Sequence, residues 1–151
     1  MSETDDTGDI DDTAEIDVTI ETETIDVDGD GVVDIVIETT TTMVDVDGDG
    51  VVDIVSETTT TSYDVDGDGI ADGVEETTIT AIDVDGDGVA DVVELTTTSA
   101  TDLDGDGEFD VIESTTVTGV DEDGDGEFSE DEIGVEELTA VREDLADNLD
   151  T

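Results

Sequence analysis

Residues 26–44 read Asp26-Val-Asp-Gly-Asp-Gly-Val-Val-Asp34-Ile35-Val-Ile-Glu-Thr-Thr-Thr-Thr-Met-Val44. The first part alternates acids with glycine, and the second is dominated by β-branched side chains. A run such as Thr39–Thr42 loses side-chain freedom in a helix and suits a pleated strand, so Ile35–Val44 and the similar Ile54–Thr61 read as strands. Asp-Xaa-Asp-Gly-Asp-Gly recurs at Asp26, Asp45, Asp64, Asp83, Asp102 and Asp121, each start 19 residues after the last. A fixed period of this kind signals stacked or arrayed units rather than one closed globule.

Composition narrows the chemistry. The 151 residues carry 51 acids against one basic residue, Arg142, for a formal charge of −50. Left unneutralised, such a charge opposes any compact state. The chain lacks Lys, His, Cys, Trp and Pro. Thiolate zinc sites, disulfides, imidazole bases and Schiff-base lysines are therefore excluded, and a non-enzymatic role is expected. Nucleic acid is not an expected partner, because phosphate binding needs Lys and Arg. No stretch is apolar enough to insert in a membrane, and the opening Met1-Ser-Glu-Thr-Asp-Asp6 shows no secretory signal pattern.

The acids are in register rather than scattered. Numbered from the first Asp of each unit, positions 1, 3, 5 and 9 of the six loops are carboxylates throughout, with Ser129 the one exception. Candidate metal ligands are Asp26, Asp28, Asp30 and Asp34 in the first loop and Asp45, Asp47, Asp49 and Asp53 in the second. The third adds Asp64, Asp66, Asp68, Asp72 and Glu75, the fourth Asp83, Asp85, Asp87, Asp91 and Glu94. The fifth adds Asp102, Asp104, Asp106, Asp110 and Glu113, the sixth Asp121, Asp123, Asp125 and Glu132. Calcium takes roughly 6–8 oxygens at about 2.3–2.6 Å, and a loop with carboxylates at 1, 3 and 5, glycine at 6, a carbonyl at 7 and acids at 9 and 12 wraps one ion. Magnesium prefers a stricter octahedron and keeps its waters, and soft metals find no N or S ligand here. About six calcium ions are expected. Trivalent lanthanides would also favour so charge-dense an all-oxygen site.

At these residues the loops resemble the EF-hand calcium loop, and more broadly the loops of dockerins, thrombospondin type 3 repeats and FG-GAP blades. Asp121-Glu-Asp-Gly-Asp-Gly-Glu-Phe-Ser-Glu-Asp-Glu132 matches the EF-hand pattern at the liganding positions. The first two loops depart from it, with Ile37 and Ser56 at position 12 and Glu38 and Glu57 one residue later. A strand sends residues 12 and 13 to opposite faces, so those sites would draw an oxygen from a neighbouring loop or from water. The layout is also similar to calcium-bound β-rolls and to the repeats of RTX-type adhesins, without their Gly-Gly-Xaa-Gly-Xaa-Asp turn.

The expected fold is an all-β repeat protein, a calcium-laddered β-solenoid with a C-terminal α-helix. The rival is an antiparallel β-meander with loops at alternate ends, favoured by the lack of a second turn between Ile35 and Val44. Residues 1–25 are expected to form an N-terminal segment. Within it residues 7–25 are a degenerate capping repeat, with Thr7 replacing the first Asp and Asp9, Asp11 and Glu15 in the liganding register. Residues 26–120 hold five repeats, and 121–151 a sixth, EF-hand-like loop and an amphipathic helix. Ile133, Leu138, Val141 and Leu145 fall at near-helical spacing after a Ser129/Glu132 capping box. Four apolar columns, led by Val27, Val46, Val65, Val84 and Leu103, are expected to point inward.

The predicted role is structural: ions as rungs of an extended rod or filament-forming module in an extracellular or cell-surface assembly, self-associating head to tail or joining other surface proteins. An intracellular calcium or lanthanide buffer or sensor is the alternative. Ice binding by the Thr array ranks below both.

Overall fold

The computed structural model describes residues 14–141. Seven strands follow one another: β1 (Glu15–Ile25), β2 (Ile35–Asp45), β3 (Ile54–Tyr63), β4 (Gly73–Ile82), β5 (Val92–Thr101), β6 (Val111–Val120) and β7 (Ile133–Val141). They form one open sheet in sequential order, every neighbouring pair antiparallel. This is the meander, and the solenoid expectation is corrected. The physical reason is length. A strand of ten or eleven residues and its acidic loop consume the whole period, leaving no residues for the second turn that a coil would need.

The C-terminal helix is corrected too. Ile133–Val141 is strand β7, paired along β6 from Gly119↔Ile133 to Val111↔Val141. Leu145 and Arg142 lie outside the described residues, as do Thr7, Asp9 and Asp11. Glu15 opens β1 opposite Asp45, so the N-terminal repeat contributes a strand to the sheet edge.

Antiparallel pairing of a 19-residue repeat has a symmetry consequence. Each repeat is turned over relative to the last, so a given repeat position alternates between the two faces. One face carries the row Thr39, Thr59, Thr77, Thr97, Thr115, and the other carries Thr40, Thr58, Thr78, Thr96, Thr116. Successive repeats are thus related by a half-turn about an axis running across the strands. Thr hydroxyls bond along both rows, with Thr39–Thr59 at 3.3 Å, Thr77–Thr97 at 3.5 Å, and Thr58–Thr78 and Thr96–Thr116 at 3.0 Å. Such cross-strand pairs are the unit of sheet stabilisation, worth roughly 0.2–1 kcal/mol each.

Neither face is covered by a second layer among the described residues, and no apolar residue there is buried. The column expected to point inward does not: Val27 is 69% and Val65 82% exposed. These residues follow the first loop Asp directly and stand on the turn rather than on the sheet. Position 8 is also open at Val33, Val52 and Phe109, which are exposed, whereas the Phe128 ring lies so close over Gly119 that a Cβ there would meet it at 2.8 Å. What is buried is acidic: Asp45, Asp83, Asp102 and Asp110. Among the described residues these four loop carboxylates, and no hydrophobic side chain, are enclosed.

Candidate metal sites

Each acidic loop is wound around its own carboxylates. The position-1 Asp accepts the position-4 Gly amide on Oδ1 at 2.6–2.8 Å. Its Oδ2 accepts the position-6 Gly amide at 2.7–3.0 Å. Both glycines have positive φ in every loop, for example 81° at Gly29 and 94° at Gly31, a region that a side chain rarely tolerates. This turn aims two amides at one carboxylate, which is why the sequence alternates acid with glycine.

The position-9 Asp closes the loop. In the first five loops its Oδ2 accepts the position-2 amide at 2.5–2.7 Å. Its own amide donates to the carbonyl just before the loop, as in Asp34 to Ile25 at 2.9 Å. Positions 1, 3 and 9 therefore converge. In Asp26/Asp28/Asp34, Asp45/Asp47/Asp53, Asp64/Asp66/Asp72, Asp83/Asp85/Asp91 and Asp102/Asp104/Asp110, one oxygen from each residue lies within 4.8 Å of the others. Two oxygens on opposite sides of a calcium ion stand roughly 4.6–5.2 Å apart, so the donor set fits one hard cation per loop. Asp110 is only 1% exposed. A carboxylate so enclosed beside two others is tolerable when paired with positive charge.

The remaining candidates fall elsewhere. Asp30, Asp49, Asp68, Asp87 and Asp106, at position 5, each accept the amide two residues on at 2.7–2.9 Å and so shape the turn. Glu75, Glu94 and Glu113, at position 12, are third residues of β4, β5 and β6 and stand in cross-strand pairs, Glu75 between Thr61 and Ser99. Glu38 and Glu57 likewise sit on strands, in the pairs Glu38↔Thr60 and Thr41↔Glu57.

The sixth loop closes by substitution. With Ser129 at position 9, Glu132 accepts the Glu122 amide on Oε1 at 2.9 Å, the bond that Asp makes in the other loops. Its Oε2 accepts the Ser129 amide at 2.8 Å and hydroxyl at 2.6 Å. Led by the Ser129 hydroxyl, these donors pull the Glu132 carboxyl down to about 2. The Gly107 amide likewise lowers the Asp102 carboxyl, against its partial burial and the nearby Asp106 charge, with the Gly105 and Asp104 amides assisting. Hydroxyl and amide donors at Glu132, and amide donors at Asp102, favour the ionised form that a cation needs.

One feature escaped sequence reasoning. Because strands alternate in direction, the first, third and fifth loops share one end of the sheet and the second, fourth and sixth the other. Loops on the same end are bonded: the Asp64, Asp83, Asp102 and Asp121 amides donate to the carbonyls of Asp34, Asp53, Asp72 and Asp91 at 2.8–2.9 Å. The first ligand of one loop is thus tied to the last ligand of the loop two before it. The signal for this lay in the sequence as a 38-residue spacing, visible only once the connections are known to be antiparallel.

Compared with models of known protein families, with curated proteins and with solved structures, the chain matches none. The Asp groups repeated on a repeated strand pattern are consistent with a calcium-binding repeat, and the clusters can hold metal ions.

Proposed function

We propose that the chain is a non-enzymatic calcium-binding structural protein, its ions bound in the acidic loops along both ends of a single-layer sheet and serving as the rungs of an extended module in an extracellular or surface assembly. The observation that carries this is the convergence of positions 1, 3 and 9 in five successive loops. Positions 1, 3 and 9 hold the ion in the first five loops, and Asp121, Asp123 and Glu132 in the sixth. Calcium supplies the positive charge that lets these carboxylates sit together, and the glycine amides orient the position-1 carboxylate of each loop. Six divalent ions offset only twelve of the fifty formal negative charges, leaving a soluble, acidic surface.

The sensor alternative loses its candidate moving part, since the segment expected to be a groove-forming helix is strand as far as Val141. Ice binding is not favoured either: Thr hydroxyls bond to one another across neighbouring strands, which takes up part of the hydrogen-bonding capacity that ordering water would need. Calorimetric titration with calcium, magnesium and lanthanum, followed by far-UV circular dichroism, tests the proposal. About six calcium ions should bind with coil turning to strand. Selective retention of lanthanum against excess calcium, or binding with no gain of strand, would reject it.

A further inference from the structure

We propose that the sheet is extended by a second copy of this chain, with β7 of one molecule pairing antiparallel to β1 of the next in one specific register. This inference rests on the calcium reading, since the edges exist only in the folded sheet.

The partner is specified by the molecule's internal symmetry. Five of the six internal strand interfaces repeat one operation, a half-turn across the sheet with a step of one strand, and the sixth departs from it only by a two-residue shift along the strand. Among the described residues β1 and β7 each have one neighbour, so each presents an unpaired edge, a ready template for another strand. Applying the operation once more beyond β7 brings in a β1 running in the opposite direction with its faces exchanged. Such a contact is heterologous and does not close, so it propagates.

The internal register fixes which residues meet. The first five pairings, from Glu15↔Asp45 in β1 and β2 to Val92↔Val120 in β5 and β6, keep one offset relative to their repeats. The longer sixth loop shifts β7 by two residues, an even number that preserves the faces. Carried forward, the offset sets Val141 opposite Ile16 of the next copy, Thr139 opposite Val18, Glu137 opposite Ile20 and Glu136 opposite Glu21. Ile16, Val18 and Ile20 then lie on the side of Val135 and Val141, all residues that are more than half exposed in the single molecule.

Charge separates this arrangement from the simplest rival. A two-fold β1–β1 pairing keeps both copies' faces together and crowds Glu15, Asp17, Glu21 and Glu23 of each copy onto one side, because these four share a face. In the screw register Glu136 opposite Glu21 is the one like-charge pair directly across the new interface.

The chain contains no cysteine, so cross-linking tests the register cleanly. Adjacent pairs across an antiparallel ladder alternate between close and wide spacing. Two mixtures are therefore oxidised in calcium: Ile20→Cys with Glu137→Cys, and Thr19→Cys with Leu138→Cys. A heterodisulfide in at least one mixture is expected, with no homodisulfide from any variant alone. Glu136→Lys should lower the concentration for assembly by roughly two- to fivefold by pairing with Glu21, and adding Glu21→Lys should cancel the gain. Homodisulfides alone, or a wild-type chain that gains strand signal in calcium yet sediments as a monomer at all concentrations, would overturn the edge pairing and leave the calcium reading standing. A wild-type chain with no calcium-induced strand signal overturns both.

Discussion

Lowering free calcium tenfold should remove most of the stability of this protein. A ligand that binds only the folded state stabilises it by RT ln(1 + [L]/Kd), so each saturated site contributes about 1.4 kcal/mol per decade of concentration. Six loops make that about 8 kcal/mol per decade, against about 5–15 kcal/mol for the whole stability of an ordinary domain. Here no hydrophobic side chain is buried among the described residues to serve as a reserve, and the four buried polar side chains are carboxylates of the loops. At about 2–4 °C per kcal/mol, the melting temperature should fall on the order of 20–30 °C per decade. The assay is thermal circular dichroism over a series of calcium buffers. Monovalent salt should not substitute: even at 1 M the Debye length is about 3 Å, and it cannot deliver a bridging charge into trios packed within 4.8 Å. A melting temperature that shifts by no more than one ion's worth per decade, or strand signal that survives excess chelator at low salt, would refute the reasoning.

Three further outcomes follow from the loops. Disabling the third site with Asp64→Ala and Asp66→Ala should weaken binding in the first and fifth loops more than in the second, fourth and sixth, because bonded loops share an end; loop-resolved amide shifts in a calcium titration read this, and equal losses in all loops would count against it. Gly67→Ala meets nothing within 4 Å, so its cost is the φ of 76° alone, about 1–2 kcal/mol, seen as a lower melting temperature in saturating calcium. The Glu132 carboxyl is held at about 2, below its usual 4.5, so its contribution is fully present above the unfolded value and is lost as pH falls toward 2. Ser129→Ala removes the main donor, and the acid unfolding midpoint in calcium should move upward. An unchanged midpoint would assign the Ser129 contact no role.

Loops and strands were legible because each rests on local chemistry. Acid-glycine alternation is required where glycine amides at positive φ must reach one carboxylate, and the Thr-rich runs had no other good conformation. The choice between coil and meander was also within reach, since turn-forming residues occur once per period. The helix expectation failed in an instructive way. The Ser129 amide does donate to the Glu132 carboxylate as in a capping box, but the Ser129 hydroxyl donates to that carboxylate too instead of accepting the Glu132 amide, which goes to the Ser129 carbonyl in a turn. Beyond it Ile133, Val135, Thr139 and Val141 alternate at strand spacing as well as Ile133, Leu138 and Val141 follow helical spacing. The open edge of β6 decided between the two periods, because pairing there satisfies a row of backbone groups that a helix would leave exposed. Such a long-range partner cannot be read from the segment itself.

The absence of a second layer among the described residues explains why the acids must be where they are. A half-buried sheet ordinarily hides one apolar face against another element. With each repeat turned over relative to the last, any residue column is divided equally between the faces, so no repeat pattern can make one face apolar and the other polar. A two-layer core is therefore closed to this sequence as long as it repeats every 19 residues and pairs antiparallel. Stabilisation has to come from features that the half-turn preserves: backbone ladders, Thr rows on both sides, and ion-type loops at both ends. On the proposed calcium reading the last of these alone would scale with an external concentration, and folding of the sheet would then be a direct function of the medium around it.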